Sequence, residues 1–327
     1  LYGYGRPPEG HQWLMVDLGV TFGDGSIPGV DVITPDPAFI VQRRDRLLGL
    51  VLTHAHEDHL GAVPYLWQRL GCPIWATPFT VSILTRKLRE AGLDGQVPIH
   101  TVPLGGRVTI GPFDVELVTV THSIPEPNAL AIRTPLGTIV HTGDWKFDPA
   151  PVVGPLSDEE ALRKLGDEGV LAIVCDSTNV FTPGVSGSEA DLEKTLTDLI
   201  GESEGRVAVA CFASNVARLE TIAKAAAAVG RDVVLAGRSH RRMDEAAREH
   251  LAAETEARGI PSPSLEAHSV HQRGLVAYLT GRTSEAQAIL ERTLVLARSL
   301  AERSLEGCVL TDLGNLLTAM GAPVTGA

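Results

Sequence analysis

At 327 residues and 44% hydrophobic content, the chain is long enough for two globular domains, or for one large domain and a tail. A formal net charge of −12 gives no global pull towards nucleic acid or anionic membrane, so any phosphate-binding surface has to be local. No uncharged apolar run approaches the length of a membrane span, which argues against a membrane protein.

Position 1 is Leu and no basic-then-apolar leader opens the text, so the expectation is an incomplete N-terminus and no secretion signal. Short apolar runs predict strands at 13–18, 48–53, 108–122, 129–142, 170–176, 206–212 and 232–236. Within these, TIGPFDVE and RTPLGTIV place Gly and Pro between apolar runs and read as hairpins. Helices are predicted at 78–91, 188–200 and 216–229. The second opens with Ser188 and Asp191 at capping-box spacing, and the third stops at Gly230. Residues 206–239 therefore read as strand, helix, strand, the unit of a parallel sheet. After about 243 the text turns helical and rich in Ala, Glu and Arg, broken by GIPSPS at 259–264. Gly274 and Gly281 recur as Gly314 and Gly321. Ala286 and Leu290 fall at helix-packing spacing, and Ser284 with Gln287 makes a second capping box. Two readings of this end stand: a tetratricopeptide-like hairpin, or a generic helical tail. Cys72, Cys175, Cys211 and Cys308 form no C-x-x-C pair and read as thiols of a reducing compartment, with the cytoplasm as the expected location.

The segment LGLVLTHAHEDHLGAVPYLW, 48–67, sets three histidines and two acids directly after an apolar run. Imidazole nitrogens and carboxylate oxygens are what zinc and similar divalent ions prefer outside thiolate sites. His54 and His56, two apart in extended chain, point to one side. Asp58 and His59 follow as the chain turns and can face a second ion. Exposed loop histidines and acids are common without a metal, but that reading requires no fixed spacing and no downstream partners. Later strands do end in single candidates, His122 in VTVTHSIPEP and Asp144 in IVHTGDWKFD. Strand ends converging on one edge of a sheet are where an α/β fold builds its site.

THAHEDHLGA resembles the H-x-H-x-D-H signature of the metallo-β-lactamase superfamily, and MVDLGVTF, VTHSIPEP and HTGDWKFD fall in the order of its other early motifs. CDSTNVFTPGVSGSE, CFASNVARLETIAKAA and VVLAGRS resemble the ribonuclease J family within the β-CASP nuclease branch, so the likeness spans about residues 1–240. It implies an α/β chain: an incomplete αββα sandwich over 1–180, a partial β-CASP domain over 181–243, and a helical tail over 244–327. It also implies two zinc ions. His54, His56 and His122 would hold one, Asp58 and His59 the other, and Asp144 would bridge them. Asp17 and Asp176 would support the site, and Asp58, His59, Asp144 and Asp176 would be its catalytic groups. His141 has no ligand role by this matching and reads as a packed strand residue.

The implied reaction is hydrolysis of RNA by metal-activated water, internally or from the 5′ end. Ser214, Asn215, Arg238 and Ser239 are the candidate substrate contacts. Arg43, Arg44, Arg46, Lys146, Arg241 and Arg242 are further local cations that could meet RNA phosphates, although a run of charges is usually a solvated face. At Ser214–Asn215 a phosphate bound by helix N–H groups and a plain Asn215 cap are both open. In the family the chain returns after the β-CASP insertion and supplies two more histidines. Nothing after Ser239 resembles those segments, and His268 and His271 lack fitting neighbours, so the second ion is expected to lack one ligand. The alternative function is a weakly active or inactive derivative that binds RNA or protein. Homo-oligomer formation or a protein partner on the tail is expected in either case, and no membrane.

Overall fold

The structure, a computed structural model, describes residues 1–6, 10–257, 283–300 and 303–320. One sheet has the order β1–β2–β5–β6–β7. Its first pair, β1 (Tyr2–Arg6) and β2 (Gly10–Val16), is antiparallel. β5 (Leu47–Val51), β6 (Ile74–Ala76) and β7 (Ile99–Thr101) continue from β2 in parallel. In the second sheet β8 (Arg107–Ile110), β9 (Phe113–Thr119), β10 (Asn128–Thr134) and β11 (Gly137–His141) form an antiparallel meander. β12 (Ala172–Val174) adds to β11 in parallel. A small separate hairpin joins β3 (Thr21–Phe22) to β4 (Val32–Ile33).

The two-residue period of a strand explains how these sheets layer. On β10, Leu130 and Ile132 pack into one core with Val115 and Leu117 of β9, and with Leu14 and Val51 of the first sheet. The alternate residues Ala129 and Ala131 pack under α5 (Glu159–Glu168) through Leu165, with Ala161 and Leu162 beside it. Each Leu, Ile or Phe fully buried this way contributes about 1.5–3 kcal/mol relative to exposure. Between the strands of the first sheet lie α3 (Val63–Leu70), which buries Val63, Leu66 and Leu70, and α4 (Pro78–Glu90), which buries Phe79, Ile83, Leu84 and Leu88. The layered α/β sandwich is therefore present, with α1 (Ala38–Val41) and α2 (Glu57–Leu60) as short connectors.

Both expected hairpins form. The 108–122 run splits at Gly111 (φ +57°) into β8 and β9, and the 129–142 run splits before Gly137 into β10 and β11. β1, β6, β7, α3 and α5 have no counterpart among the elements expected from sequence, although α5 opens on an Asp158 cap that accepts the Ala161 N–H at 2.9 Å.

Two strand expectations fail. Residues 206–212 and 232–236 flank α7 (Val216–Ala228) without forming strands. A strand needs a neighbour for its N–H and C=O groups. Neither run has one among the described residues, and Phe212 and Val234 stand 84% and 88% exposed. The parallel β-α-β unit expected over 206–239 is therefore a helix between segments that belong to no strand. α6 (Asp191–Glu202) starts three residues later than expected. Its capping box is half made: the Asp191 carboxylate accepts the Ser188 N–H at 3.1 Å, while the Ser188 hydroxyl accepts the Ala190 N–H at 3.2 Å.

The chain divides into two compact units, Leu1–Arg231 with Ala236–Ala246, and Asp232–Leu235 with Ala247–Ala327. α8 (Arg238–Ala257) begins in the first and ends in the second. In the second unit α9 (Thr283–Ser299) and α10 (Arg303–Ala319) form a hairpin. Ala286, Leu290 and Ala297 of the one bury against Leu305, Val309, Leu313 and Leu316 of the other. The helical character of the tail and the packing role of Ala286 and Leu290 thus hold. The second capping box does not: Ser284 lies inside α9, and the Gln287 amide donates to Glu291 at 2.9 Å. GIPSPS, His268, His271, Gly274, Gly281 and Gly321 lie outside the described residues. No described helix is long and apolar enough to cross a membrane.

Candidate metal centre

Four strand ends and one loop build the centre. β2 is followed directly by Asp17, and β5, β9 and β11 are followed within three residues by Thr53–His54, Thr121–His122 and Gly143–Asp144. The segment after His54 carries His56, extended at φ −72° and ψ 154°, then turns into α2 with Asp58 and His59. The loop after β2 clasps α2 through its backbone: Leu18 N–H donates to His59 O at 2.6 Å and Val20 N–H to Glu57 O at 3.0 Å. Gly19 permits that approach, since a Cβ there would meet the Asp58 carbonyl at 1.6 Å. Gly143 places Asp144 similarly, at φ +56° and against the Asn128 carbonyl.

His54, His56, His122 and Asp144 bring one ligand atom each within 4.8 Å of one another, and Asp58, His59 and Asp144 do the same beside them. These are the two expected groups, with Asp144 common to both. His56 Nδ1 lies 3.1 Å from His54 Nε2 and 3.1 Å from His122 Nε2. Tetrahedral zinc with bonds of about 2.0–2.1 Å would set its nitrogens about 3.3–3.4 Å apart, so the spacing fits an ion.

The outer hydrogen bonds fix which nitrogens face inward. The Thr53 hydroxyl donates to Asp17 at 2.8 Å, so the 2.9 Å contact to His54 Nδ1 has the imidazole N–H donating, and Nε2 keeps its lone pair. His59 Nδ1–H donates to Asp17 Oδ2 at 2.7 Å, which leaves Nε2 facing Asp144 Oδ1 at 3.2 Å and Asp58 Oδ2 at 3.7 Å. His56 Nε2–H donates to the Ser214 carbonyl at 3.3 Å.

Electrostatics divide the two groups. Burial, reinforced by the neighbouring imidazoles, pushes His54 well below its usual range and His122 down to about 4. Burial also lowers His56, against the pull of Asp58. All three are therefore unprotonated donors at neutral pH, as metal ligation requires. Burial would lower His59 too, but its bonds to Asp144 and Asp17 overcome that and raise it to about 10. The same His59 contact holds Asp144 low. In the second group, then, a cation would stand where His59 now holds a proton. Asp58 is 66% exposed, and among the described residues no fourth side chain completes that group.

The remaining candidates lie elsewhere. Asp176 follows β12, and its carboxylate accepts the Thr178 N–H at 2.9 Å and hydroxyl at 2.7 Å, outside both ligand groups. His141 packs edge-on against Tyr2, with the phenol at 2.8 Å. At the start of α7 the cap reading prevails over the phosphate reading. The Asn215 amide oxygen accepts the Arg218 N–H at 2.8 Å, and the Asn215, Val216 and Ala217 N–H groups donate to Phe212, Ser214 and Ser123 carbonyls. The backbone N–H groups of residues 215–218 are therefore all engaged within the protein. Ser239 is exposed in α8, and the Arg238 side chain lies outside what is described. Lys146 pairs with Asp148 at 2.9 Å, Arg242 with Glu90 at 2.5 Å, and Arg43 lies over the Phe39 ring. Cys72 is buried, with its thiol raised to about 11, and Cys175 and Cys211 are free. The Cys308 side chain lies outside the described ones.

Three contributors have no sequence signal of their own: Thr53, Glu126 and Asn128. The Glu126 carboxylate, buried at φ +55°, accepts the Phe79 N–H at 2.7 Å at the start of α4 and so pins the loop that follows His122. Asn128 joins Glu126 O to Thr53 O across the two sheets.

Residues 28–164 match the profile of the beta-lactamase superfamily domain, and 204–300 match the ribonuclease J beta-CASP domain. The second match runs past the boundary at 243 expected from composition. Ribonuclease J of Sinorhizobium meliloti is 46% identical over 301 residues, covering 89% of this chain and 51% of the relative. Ribonuclease J of Corynebacterium glutamicum is 42% identical, covering 86% of this chain and 39% of the relative. The chain thus spans about half the length, or less, of these curated relatives. A solved structure of a protein of unknown function from Enterococcus faecalis V583 aligns with TM-score 0.45 and 19% identity, over 64% of this chain and 57% of its own.

Proposed function

The chain carries a metallo-β-lactamase domain and β-CASP sequence of the ribonuclease J kind, and on that premise we propose that it is the hydrolytic part of a metal-dependent ribonuclease. The observation that carries this is the pair of ligand groups sharing Asp144, which bring residues 54–59, His122 and Asp144 together from distant parts of the sequence. His54, His56, His122 and Asp144 would hold one divalent ion, and Asp58, His59 and Asp144 the other. The nitrogen-rich first set favours zinc. Bound there, such ions supply the positive charge that neutralises phosphate oxygens and makes water more acidic.

The chain's own residues do the rest. Thr53 and the Ser214 carbonyl hold the imidazole protons of His54 and His56 outward, so that their lone pairs converge, and Asp17 holds one His59 proton on Nδ1, which leaves Nε2 as the position where a metal would replace a proton. Asp144 is partly exposed and is kept ionised by His59. The reading includes single-stranded RNA as substrate, cut internally or trimmed from the 5′ end, and cytoplasmic location. It also keeps 1–180 as the metal-binding domain, 181–243 as the start of the β-CASP part, and the α9–α10 hairpin as a self-association or partner surface. Asp176 would act only after turning from Thr178.

The test is cleavage of labelled 5′-monophosphorylated RNA by wild type and Asp144→Ala, with ions counted by elemental analysis. Wild-type cleavage that chelation abolishes, and that Asp144→Ala lowers by several orders of magnitude, supports the reading. Equal cleavage by the two proteins, or no ion in the wild type, refutes it.

A further inference from the structure

We infer that the turn Ser214–Ala217, at the head of α7, is a positioning element for the first ion, and that Asn215 is the residue that sets it. The inference rests on the metal-centre reading above and goes beyond the ligands themselves.

Two hydrogen bonds leave this turn for the ligand segments. The Ser214 carbonyl accepts from His56 Nε2 at 3.3 Å, and the Ala217 N–H donates to the carbonyl of Ser123, the neighbour of His122, at 3.1 Å. The Ser123 hydroxyl also approaches His56 Nε2, at 3.4 Å. A carbonyl oxygen can only accept, so the proton of neutral His56 belongs on Nε2. Its lone pair then lies on Nδ1, the nitrogen 3.1 Å from both His54 Nε2 and His122 Nε2. Rotating the Ser214 carbonyl away would free His56 to carry its proton on Nδ1, inside the cluster, where it would exclude a cation.

What aims that carbonyl is the cap. Asn215 stands at φ −81° and ψ 77°, outside the helix, and its side-chain oxygen accepts the Arg218 N–H at 2.8 Å. Arg218 in turn grips the Glu189 carboxylate through two nitrogens, at 2.5 and 3.1 Å, and the Glu189 N–H donates to Asp148 at 3.2 Å. α7 is thereby anchored to the segment that follows Asp144, and its first turn is fixed relative to both ligand loops. Residues 214–218 lie within the match to the β-CASP domain, and His56 and His122 within the match to the β-lactamase domain. The turn therefore makes the ligand geometry of one depend on the backbone of the other.

The experiment compares Asn215→Ala with Asn215→Asp, since Asp caps a helix about as well as Asn. Zinc affinity is measured by competition with a chromophoric chelator. The protonated nitrogen of His56 is read in metal-free, ¹⁵N-histidine-labelled protein. We expect Asn215→Ala to lose about 10- to 100-fold in affinity for the tighter ion, the usual effect of removing a group that orients a ligand. Asn215→Asp should stay close to wild type. His56 should carry its proton on Nε2 in wild type and Asn215→Asp, and should mix both forms in Asn215→Ala. Wild-type affinity in Asn215→Ala overturns this inference alone, as does a wild-type His56 protonated on Nδ1. A wild type that takes up no zinc overturns the metal reading itself, and the positioning role of Asn215 falls with it.

Discussion

Replacing Asp17 separates two roles that one carboxylate performs. Its oxygens accept the Thr53 N–H at 2.8 Å, the Thr53 hydroxyl at 2.8 Å and His59 Nδ1 at 2.7 Å, in a place where Thr53 is fully buried. Asp17→Ala strands the Thr53 and His59 N–H donors, at about 1–3 kcal/mol each. It also puts Ala at φ +55°, where an L-residue without a local polar side chain costs about 1–2 kcal/mol. The metal-free variant should therefore unfold about 3–8 kcal/mol more easily. Asp17→Asn keeps the shape, tolerates the backbone and still accepts the Thr53 N–H, so its loss should be about 1–2 kcal/mol. Its NH₂ group, however, faces His59 Nδ1, which can then only accept. The one proton that His59 then keeps must sit on Nε2, the atom aimed at Asp144 and Asp58, and no ligand lone pair is left there. Asp17→Asn should thus fold nearly as wild type does, yet lose affinity for the ion of the Asp58–His59–Asp144 group by about 10- to 100-fold. Urea unfolding of metal-free protein gives the first quantity and chelator competition with elemental analysis the second. Wild-type stability in Asp17→Ala would refute the hydrogen-bond accounting. Undiminished retention of both ions in Asp17→Asn would refute the proton-placement argument.

The two ions should leave in order under rising chelator, the one held by three nitrogens and Asp144 last; simultaneous loss would mean that a further residue completes the weaker group. Burial by itself would raise Asp148, but bonds from Ser188, Lys146 and the Ala150 and Glu189 N–H groups overturn that and hold its carboxyl far below the usual range. Its stabilisation is therefore present above about pH 4 and is lost as pH falls further. Between pH 5 and pH 3 the urea midpoint should drop more in wild type than in Asp148→Asn. Leu290→Ala removes a fully buried side chain from the α9–α10 core and should destabilise that hairpin by about 2–5 kcal/mol, read as faster amide exchange in both helices.

The candidate ligand groups were legible in the sequence because metal chemistry constrains residue type, and because local geometry constrains spacing. His54-x-His56-x-Asp58-His59 follows an apolar run, and such a run has to be a strand whose end opens at a sheet edge. His122 and Asp144 follow runs of the same kind. α7 was legible from Asn215 to Gly230 for the same reason: caps and stops are set by residues one turn away. Residues 206–212 and 232–236 show the limit of that reasoning. Their apolar runs suit a strand, but a strand is completed by hydrogen bonds to another segment, and a sequence does not say whether that segment is there. The proton positions of the site lie beyond sequence for the same reason. They depend on Thr53 meeting Asp17 across 36 residues, on His59 meeting it across 42, and on His56 meeting the Ser214 carbonyl across 158. The sequence thus determined which atoms could bind an ion. The tertiary structure decided which nitrogen of each imidazole points inward, because that follows from acceptors brought close only by folding.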